Sequence, residues 1–240
     1  MDAKTPVTIR TSEKEFSLIQ GTKTFLGEVA DKAITITGTL GAPFQFLLGK
    51  MDKVKDPDTH LRIYKDLGKL ELHVNDTDGR CQHVITGSLS KDKNLQSFRI
   101  NTDETWSVSE FLKFIRTKKF FFADPGDQTA LIAGLQTFGA KVERVIKEHN
   151  DNTGNSLFQL ETRVNDIQLK RSFILDIAIF QGYDRKQFKV EIGFQPTATQ
   201  VHLFLISEDL FTIELEYREK LINDEIKRFD KSTFSKVVVS

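Results

Sequence analysis

The segment KFIRTKKFFF combines the two residue types that binding of single-stranded nucleic acid requires. Basic side chains neutralise the phosphate backbone, and exposed aromatic rings stack on the bases. Here a run of three phenylalanines directly follows a cluster of cations. We therefore predict a nucleic-acid-binding surface on this segment. Its basic residues are Lys113, Arg116, Lys118 and Lys119.

The same segment also has a structural interpretation. Cations are favourable near the C-terminus of a helix, and a run of phenylalanines is typical of a buried strand. The chain has 20 Phe but only 3 Tyr and 1 Trp, and this skew fits a Phe-rich core or an exposed stacking platform. Two further basic pairs, Lys170-Arg171 and Arg185-Lys186, cannot be placed relative to the cluster from the sequence.

The histidines show no metal-binding spacing of the H-E-x-x-H type, and one cysteine cannot build a zinc knuckle. His73 and His83 flank the turn NDTDGR, so they could meet across a hairpin with Asp76 or Asp78. Such a cluster would suit a metal-dependent hydrolase. The alternative is exposed strand and turn histidines, which we favour, and we expect no metal. The five histidines are His60, His73, His83, His149 and His202.

Sequence signatures of covalent or nucleotide chemistry are absent. The chain contains no G-x-x-x-x-G-K-[ST], no G-x-G-x-x-G and no G-x-S-x-G. Cys81 has no evident partner beyond the nearby His83. We therefore predict a protein that is not an enzyme and that carries no cofactor.

Length and composition indicate an ordinary globular chain. Its 240 residues suffice for one large domain or two small ones, and 34 basic residues balance 34 acidic ones. This balance removes the argument for nucleic-acid binding through a globally basic surface, although a local patch remains compatible with it. A single cysteine excludes an intramolecular disulfide and is compatible with a reducing compartment. Because no apolar run resembles a signal peptide or a membrane span, we expect a cytoplasmic protein without a membrane partner.

Apolar periodicity predicts several strands. SFILDIAIF and VHLFLI are apolar on both faces, so we expect them to lie side by side in the middle of a covered sheet. KQFKVEIGF alternates cleanly, and HLRIYKDLGKLELHV is typical of a hairpin. We also predict strands at FQFLLG and TKKFFFAD, and a strand pair that turns near residues 91–94.

Capping signals and 3.6-residue periodicity predict three helices. SVSEFLKFI carries a capping box in which Ser107 caps the helix and Glu110 reaches back. Residues 127–150 have a continuous apolar stripe, and residues 208–229 form a charged helix with Ser207 as its cap. These elements predict an α+β fold with mainly antiparallel sheets and about three helices.

The pattern is compatible with one composite domain or with two closely packed halves, and we predict two halves that join near residue 105. Residues 1–105 form a β-rich antiparallel meander. Residues 106–240 form an α+β half in which the two apolar strands are central.

The order of features from Trp106 onward resembles an uncharacterised family of phage and prophage proteins, classed only as a domain of unknown function. The resemblance rests on WSVSEFLKFI, FFFADPGDQTALIAGL, DNTGN and FILDIAIFQGYDRKQFKVEIGF, and it covers about residues 106–240. It implies a bacterial or phage origin and an intracellular accessory role, in some members near replication or recombination functions. It supplies no functional residues.

We therefore predict a non-enzymatic accessory protein that binds single-stranded nucleic acid or a replication or recombination partner. The alternative is a structural or interaction protein. That alternative covers a virion component and an inhibitor or sponge that acts against host defence, with a phage or host protein as its partner. A homo-oligomer is compatible with both.

Overall fold

The computed structural model describes residues 7–11, 14–18, 33–50, 58–76, 82–151, 171–197, 200–230 and 237–239. These residues form helices and mostly antiparallel strands, so the predicted α+β fold is confirmed. The helices are α1 (Ala42–Lys50), α2 (Lys93–Ser97), α3 (Val108–Arg116), α4 (Pro125–Asp151) and α5 (Glu208–Asp230). The strands are β1 (Val7–Thr11), β2 (Lys14–Leu18), β3 (Ile34–Thr39), β4 (His60–Tyr64), β5 (Lys69–Val74), β6 (His83–Ser88), β7 (Trp106–Ser107), β8 (Ser172–Ala178), β9 (Arg185–Pro196), β10 (Val201–Ile206) and β11 (Val237–Val239).

One sheet has the order β7-β10-β9-β8, and all its pairs are antiparallel. Strand β9 is long enough to pair with β8 through its first half and with β10 through its second. One face is buried under α3 and α4, where the rings of Phe138 and Phe194 stack with centroids 4.9 Å apart. This packing holds the α3 region against the sheet.

The prediction that SFILDIAIF and VHLFLI lie side by side is wrong. Strand β9 separates them, and β8 is an edge strand of the sheet. The second face of each strand is also only partly covered, since Ile174 in β8 and Ile206 in β10 are both 44% exposed. The edge of β8 is partly paired, because Phe122 bridges to Leu175 and Ala123 N donates to Ile174 O at 3.0 Å. Short backbone pairings of this kind protect an edge strand from pairing with other chains.

The second sheet has the order β11-β4-β5-β6-β3. Strands β4, β5 and β6 form an antiparallel meander, whereas β3 and β11 pair in parallel with β6 and β4. The antiparallel meander therefore comprises only β4, β5 and β6, whereas we predicted that it extends over the first hundred residues. FQFLLG, which we predicted as a strand, is part of α1, where Pro43 and Leu47 are buried one turn apart. A parallel partner requires a crossover, and α1 lies on the connection that follows β3.

Two other local predictions are also wrong. The segment near residues 91–94 begins α2, because the Asp92 carboxylate caps it by accepting from Asn94 N and Leu95 N. The run of phenylalanines forms a 3₁₀ helix, Lys119–Phe121, followed by the one-residue bridge at Phe122. A short apolar run has too few residues for its period to distinguish strand from helix.

The described residues form two hydrophobic cores. The first lies between the four-stranded sheet and α3 and α4, and the second lies between the five-stranded sheet and α1. Helix α5 contributes to both cores, with Tyr217 in the first and Phe229 in the second. Phe98, the C-cap residue of α2, belongs to the first core. The proposed division near residue 105 stays a prediction.

Candidate functional site

Helix α3 positions two of the predicted basic residues. Its capping box is confirmed: Glu110 N donates to Ser107 Oγ at 3.2 Å, and Ser107 N donates to Glu110 Oε2 at 3.0 Å. Phe111 and Ile115 are buried on one face. Lys113 and Arg116 therefore lie exposed in the last turn, where cations also interact favourably with the helix dipole.

The C-terminal end of α3 is anchored by side chains. Gln128 is buried, and its Nε2 donates to Ile115 O at 2.6 Å. Thr117 Oγ1 donates to Phe114 O at 2.7 Å. Because the last carbonyls of a helix lack intrahelical partners, these bonds stabilise the helix end and the 3₁₀ turn that follows. The cationic segment is thus attached to a rigid support.

The four predicted basic residues lie together around this helix end. Lys113, Arg116 and Lys119 are exposed, and none of the three forms an ion pair with the described part of the chain. Lys118 is half-buried, and its Nζ lies 5.1 Å from the centroid of the Phe114 ring and 5.5 Å from that of Phe121. Lys118 therefore also makes cation–π contacts that order the surface.

Three consecutive phenylalanines have three different environments. Phe122 is buried, Phe121 is half-buried, and Phe120 is 74% exposed. Phe122 is therefore a core residue, as the structural interpretation requires, and Phe120 alone of the three has the exposure that stacking on a base would require. The sequence does not distinguish the three residues, because their exposure depends on the bend of the 3₁₀ helix.

Arg185 joins this surface from the start of β9. Its guanidinium carbon lies 4.0 Å from the centroid of the Phe120 ring, and its Nη1 donates to Phe120 O at 3.2 Å. Asp176 Oδ2 lies 3.8 Å from the same Nη1. The sequence showed Arg185 only as one of two separate basic pairs, so its position beside Phe120 was missed.

The other basic residues noted in the sequence lie elsewhere. Lys186 Nζ is 4.3 Å from the centroid of the Tyr217 ring, on α5. The Arg171 guanidinium is 5.2 Å from the Phe194 centroid. Lys170 lies outside the described residues.

A row of half-buried and buried rings connects the exposed Phe120 to the core. Ring centroids are 5.9 Å apart for Phe120 and Phe121, 6.3 Å for Phe121 and Phe98, and 5.0 Å for Phe98 and Phe114. Phe114 in turn lies 4.7 Å from the Trp106 ring. Edge-to-face contacts of this type are favourable beyond simple burial, so the row holds Phe121 beneath Phe120.

His73 and His83 do not meet across the hairpin, which was the less favoured of the two interpretations. Adjacent strands pair Val74 with His83, which places His73 and His83 on opposite faces of the sheet. His83 Nδ1 accepts from Ile34 N at 3.2 Å, and its ring lies 6.0 Å from that of Phe46. Asp78 and Cys81 lie outside the described residues. The cross-strand partner of His73 is His60, which the sequence analysis did not connect with it.

A scan against models of known protein families found no match for this chain. Comparison with curated proteins and with solved structures also found no match. The resemblance to the uncharacterised phage family therefore stays a prediction. Among the described residues, no helix combines the length and apolar character needed to cross a bilayer.

Proposed function

We propose that the protein binds single-stranded nucleic acid through a basic–aromatic surface. The observation that carries the proposal is the largely exposed ring of Phe120, which lies against Arg185 and beside three exposed cations. An exposed phenylalanine held by a rigid cation is suited to stacking on a base. The basic–aromatic surface consists of Lys113, Arg116, Lys118, Lys119, Phe120 and Arg185.

Phosphate neutralisation and base stacking are assigned to different residues of this surface. Lys113, Arg116 and Lys119 form no ion pair with any described residue, so their ammonium or guanidinium groups can neutralise successive phosphates. Phe120 offers a ring face to a base, while Arg185 occupies the other side of the ring. Because every base has a π-face, stacking of this kind tolerates many sequences.

Single strands fit this surface better than duplexes. The bases of a duplex are already stacked on one another, so a protruding ring gains no contact unless it opens the helix. The proposed activity agrees with the accessory role near replication or recombination that the resemblance implies.

The acidic groups near the surface are engaged locally. The Glu110 carboxylate accepts from Ser107 N, and Asp124 Oδ1 accepts from Gly126 N at 2.7 Å. The chain as a whole has no net charge, so attraction depends on the local cluster. We therefore expect binding that is strongest at low ionic strength and weakens steeply with salt.

The proposal is tested with a fluorescently labelled single-stranded oligonucleotide and the full chain, by anisotropy over a salt series. The variant that changes Lys113, Arg116, Lys118 and Lys119 to Glu should lose binding. A control variant changes four other exposed lysines to Glu and so has the same net charge. These are Lys65, Lys93, Lys141 and Lys220.

The control variant should retain most of the wild-type affinity, since its substitutions lie outside the surface. The proposal fails if the wild type shows no salt-sensitive binding at low ionic strength. It also fails if the two variants lose affinity equally, because net charge alone would then explain binding.

A further inference from the structure

The five-stranded sheet brings two histidines and an aspartate together on its polar face. His60 in β4 lies directly opposite His73 in β5, and their parallel rings have centroids 5.0 Å apart. Asp76 follows β5 in the next turn. One possible ligand atom from each side chain lies within 4.8 Å of the other two, and within the described ranges this is the one such group of three.

One nitrogen atom of this group lacks a hydrogen-bond partner among the described residues. His73 Nε2 is buried and makes no hydrogen bond with the described chain. Glu71 Oε2 lies 3.5 Å from it, which is long for a hydrogen bond, and Oε1 of the same carboxylate pairs with Lys69 Nζ at 2.5 Å. A buried polar atom without a partner is unfavourable, and a bound cation would satisfy it.

We propose that His60, His73 and Asp76 bind a divalent transition-metal ion, with Zn²⁺ the best suited. Two imidazole nitrogens and one carboxylate oxygen are ligands that Zn²⁺ prefers, at bond lengths of about 2.0–2.2 Å. Tetrahedral ligands at such lengths are roughly 3.3 Å apart, so the three atoms need to converge by about 1 Å or more. Three protein ligands leave a fourth position for water.

Binding requires two local adjustments. Imidazole lone pairs lie in the ring plane, so two parallel rings cannot both point at one ion until one of them rotates about its Cβ–Cγ bond. That rotation is soft, because the second torsion of histidine has a broad energy profile. Arg62 Nε also donates to His60 Nε2 at 3.2 Å and competes with the metal for that nitrogen.

A substitution of Arg62 therefore distinguishes this site from adventitious Zn²⁺ binding by a surface histidine. Changing Arg62 to Met removes the competing donor and a nearby positive charge. Zn²⁺ should then bind more tightly, by roughly fivefold or more. If the affinity of Arg62→Met equals that of the wild type or falls below it, the proposed geometry is wrong.

The main experiment titrates Zn²⁺ into the chelator-treated full chain against a chromophoric competitor. One equivalent should bind, and His60→Ala or His73→Ala should each weaken binding by at least about tenfold. His202→Ala is the matched control, because His202 lies in β10 of the other sheet. There it contacts Thr105 and Gln200. Absence of Zn²⁺ binding by the wild type, or loss of affinity in His202→Ala alone, overturns the proposal.

A measurement on the wild type covers the case in which a variant fails to fold. Imidazole ¹⁵N resonances recorded during the Zn²⁺ titration should shift for His60 and His73 and stay unchanged for His202. Shifts confined to other histidines would overturn the proposal. This site is independent of the basic–aromatic surface, so the variant with four reversed charges on that surface should bind Zn²⁺ normally.

Discussion

The Arg185 guanidinium carbon lies 4.0 Å from the centroid of the Phe120 ring, while Nη1 of the same arginine donates to the Phe120 carbonyl at 3.2 Å. The two residues are 65 positions apart in the chain. The contact holds an aromatic ring at the surface although 74% of it remains exposed. An isolated exposed phenylalanine is common, but this ring is oriented by one cation and lies near several exposed ones, and it is the ring on which we propose that a base stacks.

Phe120→Ala should weaken binding of a single-stranded oligonucleotide. Stacking of one base on an aromatic ring contributes about 1–3 kcal/mol, so the dissociation constant should rise by roughly 5- to 150-fold. Anisotropy at one low salt concentration measures the change. Phe211→Ala is the control, since Phe211 is 68% exposed on α5 and lies outside the surface. Equal losses in both variants would contradict a specific platform.

Lys119→Ala should change the salt dependence as well as the affinity. Each phosphate contact on a single strand contributes about 0.7 to the slope of log Kobs against log salt concentration. We expect the slope to become shallower by about that amount, whereas Phe120→Ala should leave it unchanged. The measurement is a salt titration of both variants, with the exposed Lys220→Ala as control. Unchanged slopes in Lys119→Ala would show that Lys119 contacts no phosphate.

The capping box predicts a pH-dependent contribution to stability. The hydrogen bond from the Ser107 backbone N–H, aided by the Ser107 hydroxyl, lowers the pKa of Glu110 below its ordinary value of 4.5. A group with a lowered pKa in the folded state stabilises the protein above its ordinary pKa. That contribution disappears as the pH falls through the lowered folded-state pKa.

Glu110→Gln should therefore be less stable than the wild type at neutral pH, and the difference should narrow below about pH 4.5. Urea unfolding of both proteins over a pH series measures the free energy of unfolding. A difference that stays constant down to the acid limit, or that grows on acidification, would contradict the assignment.

Gly193→Ala should destabilise the four-stranded sheet. Gly193 pairs with Phe204, and a Cβ at Gly193 would lie 2.2 Å from the Phe204 ring. Displacing that ring should lower the free energy of unfolding by about 1–3 kcal/mol. Gly49→Ala is the control, because nothing lies within 4 Å of its Cβ and alanine favours the helix.

A double variant separates this clash from other effects of the added methyl group. In a Phe204→Ala background, Gly193→Ala should be nearly neutral, because the ring that it meets is absent. Denaturant unfolding of the four proteins in the cycle gives the coupling energy. A loss of the same size in both backgrounds would show that the clash with Phe204 is not the cause.

Local signals in the sequence were reliable where neighbouring residues determine the structure. The capping box needs only Ser107 and Glu110, three positions apart, and it is confirmed. Ser207 caps α5 as predicted, because its Oγ accepts from Leu210 N at 3.3 Å. Capping distances and the helical period act within one or two turns, so they can be predicted without knowledge of the fold.

Short apolar runs in the sequence did not distinguish helix from strand, because a period is visible only over one or two helical turns. FQFLLG has no period long enough to distinguish helix from strand, and its packing against β6 and α5 selects the helix. Apolar faces also did not reveal strand order. β8 is as apolar as a central strand, yet the long β9 takes the central position between β8 and β10.

The amino-acid sequence by itself determined the α+β class, the caps Ser107 and Ser207, the helices α3, α4 and α5, and the cationic cluster that precedes the phenylalanines. Only the tertiary structure placed Arg185 on Phe120 and His60 opposite His73. Strand pairing depends on hydrogen bonds between residues that are distant in the chain. Many registers satisfy those bonds equally well, and packing of the whole fold selects one of them.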